Sequence, residues 1–103
     1  AWASRYATSL AQYDSVLARD ATYRDAVVGK AQTLAWSDRL PEAEAQLERW
    51  LERRADDVEA WTLLGQFRRW RGDARAAESA LDRALALRPD DAAAREQMSW
   101  VRV

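Results

Sequence analysis

Residues 58–91 read VEAWTLLGQFRRWRGDARAAESALDRALALRPDD, and the order of large and small residues in this stretch decides the fold. Trp61, Leu64, Gly65 and Arg68 fall at i, i+3, i+4 and i+7, which places them on one stripe of a helix. Ala77, Leu81, Ala84 and Leu85 make a second stripe on a second helix. Gly72-Asp73 lies between them: glycine accepts the positive φ that ends a helix, and aspartate caps the start of the next. Gly65 and Ala77 are small on the faces that must meet, so the two backbones can approach closely. Pro89, preceded by Arg88, stops the second helix.

The same unit recurs one repeat earlier. Stepping back from Val58 to Arg24 aligns Ala43 with Ala77, Leu47 with Leu81, Leu51 with Leu85, Gln32 with Gln66 and Asp56-Asp57 with Asp90-Asp91. About ten positions are identical between residues 24–57 and 58–91. Helices are expected at about 24–37 and 40–53, with Ser37-Asp38 in the turn and Pro41 in a first helical turn where it is tolerated. Residues 1–23 match only the second half of a unit, a helix at about 5–19 with Tyr6, Leu10, Tyr13 and Leu17 along one side. Residues 92–103 match only the first helix of a further or capping unit.

The markers W-x-x-L-G at Trp61, Leu64 and Gly65, then Ala77, Leu81, Ala84 and Pro89, resemble the tetratricopeptide repeat (TPR), a helix–turn–helix unit of 34 residues. Arg68 stands where that family usually carries tyrosine, and Val27, Lys30 and Ala31 replace the tryptophan, leucine and glycine of the earlier unit. The resemblance implies an all-α fold: a right-handed superhelical solenoid of about five antiparallel helices, with two full repeats between two half repeats. An array that starts and ends inside a repeat is expected to be a slice of a longer one, or an array closed by another domain. Met98, Trp100 and Val101 make a poor polar cap, so the open ends predict self-association.

Composition narrows the function. The chain has 103 residues, 49% hydrophobic and 32% charged, with a net charge of −1, enough for one small domain. That balance argues against a nucleic-acid partner, which calls for a net basic surface. Histidine and cysteine are both absent, which removes the commonest general base, the best side-chain nucleophile, disulfides and cysteine-ligated zinc. The carboxylate pairs Glu42/Glu44 and Asp56/Asp57 fall on expected turns and exposed first helical turns, where acids favour the helix dipole without any catalytic role. No glycine-rich phosphate loop exists, since the three glycines are isolated. No enzyme, cofactor or metal is therefore expected. No apolar run approaches the roughly 20 residues of a transmembrane helix. Lys30 is the single lysine among 16 basic residues, a bias that fits a GC-rich bacterial genome and leaves periplasm and cytoplasm both open.

Two clusters could carry binding. Arg68-Arg69-Trp70-Arg71 reads either as a contact for an acidic ligand or as helix-end ion pairs, and the near-neutral total charge favours the second. Trp2, Trp36 and Trp70 recur at the repeat period, at the end of the first helix of each unit. They are either a binding ladder or a packing column, while Trp61 is expected in the core and Trp50 between neighbouring helices. The resemblance implies a concave groove lined by the first helices, with Gln32, Trp36, Thr62, Gln66, Arg69, Trp70 and Trp100 as partner-binding residues. The positions of a known carboxylate clamp in the family hold Val28, Gln32, Thr62 and Gln66 here, which argues against that chaperone-binding use. The expected function is a scaffold that takes a peptide or helix of a protein partner. The alternative rests on TLAW, residues 33–36, which is similar to repeat regions of bacterial outer-membrane and polysaccharide-export proteins, where such arrays are periplasmic spacers or assembly platforms.

Overall fold

A computed structural model describes residues 2–19 and 24–102, except the side chains of 2–4, 6, 18 and 19. Every regular element among them is a helix: α1 (Trp2–Arg19), α2 (Arg24–Trp36), α3 (Leu40–Arg53), α4 (Val58–Trp70), α5 (Ala74–Leu87) and α6 (Ala92–Val101). The count is six among the described residues, against about five expected: two full repeats supply four helices and each half repeat one more. The chain divides into two compact units, Ala1–Trp50 and Leu51–Val103, with the division in the last turns of α3.

The turns show why the repeat recurs. After α4, the Asp73 amide donates to the Arg68 carbonyl and the Gly72 amide to that of Arg69, with Gly72 at φ 90°. This is the left-handed helix cap that glycine supplies at no steric cost. After α2, the Arg39 amide donates to Leu34 and the Asp38 amide to Ala35, with Asp38 at φ 64°. The two turns are the same motif one period apart. Aspartate is among the few non-glycine residues that tolerate this conformation. Helix starts are equally regular: Asp57, Asp73 and Asp91 accept from the amides of Ala60, Ala76 and Ala94 at 3.1, 3.0 and 2.9 Å. Each such cap is worth about 0.5–2 kcal/mol.

In the first unit α2 packs against α1 and is buried on most of its circumference, through Ala26, Val27, Val28, Ala31, Thr33, Leu34 and Ala35. The Thr33 hydroxyl returns its proton to the Gly29 carbonyl at 2.9 Å, which lets a polar residue sit inside. The ring of Tyr13 lies over Gly29, and Asp14 pairs with Lys30 at 2.6 Å. Leu10, Tyr13 and Leu17 are half-buried, whereas Tyr6 has its side chain outside the described residues. On α3, Ala43, Leu47 and Trp50 are buried, Trp50 to 5% exposure.

In the second unit α4 and α5 form the hairpin that residues 58–91 predict, and α6 packs on both. A Cβ at Gly65 would lie 2.7 Å from Leu81 Cγ and 3.3 Å from the Ala77 carbonyl oxygen, so the helices touch where the two small residues stand. Phe67, Leu64 and Leu81 are the large side chains sealed in this unit, each contributing roughly 1.5–3 kcal/mol by burial. Trp61 departs from expectation: it is half-buried, not core. Ala60, Leu63, Leu64 and Phe67 fill the inner face of α4, and Trp61 lies at its edge. There its indole N–H donates to the Ala55 carbonyl at 2.8 Å and the Arg83 guanidinium sits 5.8 Å above the ring. Glu44 departs in the other direction, buried to 5% exposure where an exposed first turn was expected. Its oxygens are satisfied, since no buried side-chain N or O among the described residues lacks a partner.

The two helix–helix contacts at glycine predict opposite responses to one added methyl. Gly65→Ala pushes on the branch point of a sealed leucine and on backbone, and should cost about 1–2 kcal/mol despite the better helix propensity of alanine. Gly29→Ala meets only the outer end of the half-buried Tyr13 ring, and should stay within about 0.5 kcal/mol of wild type or gain slightly. Thermal and urea melts of the two variants measure the difference.

Candidate functional site

Five large apolar side chains are exposed among the described residues, three of them tryptophans: Trp36 at 60% exposure, Trp70 at 43% and Trp100 at 58%. All three stand in the last turn of a helix, α2, α4 and α6 respectively, the first helices of successive units. Trp2 instead opens α1, and its side chain lies outside the described residues.

The residue three positions earlier sets how firmly each indole is held. Trp70 follows the sealed Phe67, and the rings lie 5.7 Å apart at a 38° tilt, an arrangement aromatic pairs favour. Trp36 follows Thr33, which turns its hydroxyl to its own helix and offers no ring beneath the indole. The barer of the two is therefore Trp36. Gln32 and Gln66, one turn before each tryptophan, are half-buried. Thr62 is buried, and its hydroxyl donates to the Val58 carbonyl at 2.9 Å, so it presents no free donor at the surface.

The basic run resolves residue by residue. Arg68 donates through Nη1 to the Ala76 carbonyl at 3.1 Å, spanning the α4–α5 hairpin from the position where a tyrosine is usual. Arg71 lies 3.7 Å from Asp73. Arg69 turns toward α6: its Nε donates to Gln97 Oε1 at 3.2 Å, and its guanidinium carbon sits 6.0 Å from the centroid of the Trp100 ring. Arg69, Gln97 and Trp100 thus make one amphipathic patch across α4 and α6. Gln97 was not legible from repeat markers, since it matches none of them.

Glu42 accepts from Arg39 Nε at 2.9 Å. That hydrogen bond, helped by the charges of Arg39 and Lys30, holds its carboxyl below the usual glutamate range and keeps it an ionised, ion-paired group at neutral pH. Among the described residues no group of three or more Asp and Glu is placed to hold a metal ion, and no helix is long and apolar enough to cross a membrane.

If Trp36 and Trp70 stand in water as described, iodide should quench both in variants that retain one of them as the sole tryptophan. The corresponding Trp50 reporter should resist. Equal quenching of all three would contradict the described burial.

Comparison with known proteins places these features in a family. A model of the tetratricopeptide repeat matches residues 3–67. Among solved structures, the first TPR of Spaghetti (RPAP3) bound to the HSP90 peptide SRMEEVD superposes with a TM-score of 0.85 at 15% identity, over 96% of this chain and 79% of that one. At that identity the likeness is one of fold. No curated protein matches the chain.

Proposed function

The chain belongs to the tetratricopeptide repeat family, and on that premise we propose that it is a non-catalytic interaction scaffold that takes a peptide or helical segment of a partner protein on the faces of its first helices. The observation that carries this reading is the exposure of Trp36 and Trp70 at equivalent helix ends, joined by Trp100 in the last turn of α6. Large aromatics in water are a standing cost to a folded chain, and a partner that covers them recovers it. They are also, with arginine, the side chains that most often dominate an interface. In the first unit Gln32 and Trp36 supply the contact face; in the second, Gln66, Arg69, Trp70 and Trp100 do. Thr62 belongs behind that face, shaping it through its packing. The similar fold that holds a peptide in the solved structure supports the same use of this one.

The test is capture of the partner from a lysate of the source cells, then cross-linking and titration with wild type and with Trp36→Ala and Trp70→Ala. Binding should fall by 2 kcal/mol or more, on the order of thirtyfold, in at least one variant while melting temperatures stay within a few degrees. Loss of about 3–5 kcal/mol of stability with partner affinity retained would make the tryptophans packing elements and overturn the proposal.

A further inference from the structure

We infer that Arg69 reads a carboxylate, so that the segment bound on the α4–α6 face carries an Asp or Glu side chain next to an apolar residue. This rests on the peptide-binding reading above and specifies the chemistry of one of its contacts.

The inference starts from which donors remain unused. A guanidinium has five N–H donors. In Arg69 the Nε hydrogen goes to Gln97 Oε1 at 3.2 Å, and no acceptor among the described residues takes those of Nη1 and Nη2. Nor does any carboxylate among them pair with it. Its neighbours in the run are engaged, Arg68 with the Ala76 carbonyl and Arg71 with Asp73. Arg69 therefore keeps an unneutralised charge and a free planar fork, which matches the two oxygens of a carboxylate.

The fork is also held in place. The stack on Trp100 at 6.0 Å and the bond to Gln97 restrain the side chain before any ligand arrives, so little rotamer freedom is lost on binding. Gln97 is in this sense a positioning residue. Beside the fork stands Trp100, under the guanidinium and 58% exposed, a surface for an apolar side chain adjacent to the acid. Glu96 lies four residues before Trp100, one turn away on α6, and is exposed. Its charge disfavours a second acidic group there, so the complement is one carboxylate beside an apolar residue and not an acidic run.

The experiment pans a random dodecamer phage library on the immobilised chain, then measures the enriched sequences as synthetic fluorescent peptides by anisotropy. Enriched peptides should share an Asp or Glu adjacent to Leu, Ile, Phe or Trp. Changing that acid to its amide on wild-type protein should weaken binding about tenfold, and Arg69→Gln should weaken the parent peptide equally. The two changes together should do no more than either alone. Arg69→Lys, which keeps the charge without the fork, should recover only part of the loss, and Gln97→Ala should weaken binding less than Arg69→Gln. Enriched peptides that lack an acid, or that tolerate its amidation without loss, would overturn the carboxylate reading and leave peptide binding standing. A library that shows no enrichment over its unselected state would overturn both.

Discussion

The contact of Gly65 with Leu81 and the Ala77 carbonyl is the constraint from which the second unit follows. Because one helix offers no Cβ at that point, α4 and α5 can lie close enough to seat the sealed Leu81 directly on Gly65. The α4–α5 turn then has only a short gap to cross, and Gly72 at φ 90° with the Asp73 cap crosses it in three residues. With Phe67 sealed, Trp70 rests its ring on an immobile neighbour while keeping its other parts in water. The exposed patch is in this sense a product of the buried one: the helix that turns Phe67 inward turns Arg69 toward α6.

The first unit reaches a similar result with weaker residues. Asp38 does the work of Gly72 at the same turn position, with the same pair of backbone hydrogen bonds. Its glycine contact is a different one: Gly29 faces α1, where the covering atoms belong to the half-buried Tyr13 and not to a sealed leucine. Thr33 replaces Phe67 beneath the tryptophan, and Trp36 is correspondingly more open than Trp70. Divergence between the repeats thus falls on how tightly each surface aromatic is supported, while turn chemistry is retained.

Much of this was legible in residue order. Gly72, the aspartate caps and the Ala77–Leu81 stripe act locally, within a turn or two, so their spacing alone located the helices and the hairpin. Trp61 was misread because a large residue on a helical stripe looks like core, whereas the deciding quantity was the competing inner set Ala60, Leu63, Leu64 and Phe67. Phe67 itself was visible at helical spacing from Ala60 and Leu64, and was overshadowed by the family markers. Glu44 was placed at the surface because its burial depends on what covers α3, which no local pattern records. The patch at Arg69 was half legible: its tryptophan and arginine stood out, but the link to Gln97 spans 28 residues and exists only once α6 has docked.

The hairpin contact is the point at which the account is most exposed. A methyl-resolved nuclear Overhauser spectrum of the isotope-labelled chain would measure it directly, through the distance between the Gly65 α-protons and the Leu81 methyl groups. Strong cross-peaks between them, with the Gly65 amide protected from exchange, are the predicted result. Their absence from a folded, well-dispersed spectrum would mean that α4 and α5 do not meet at Gly65, and the placement of Phe67, Trp70 and Arg69 that follows from it would fall as well.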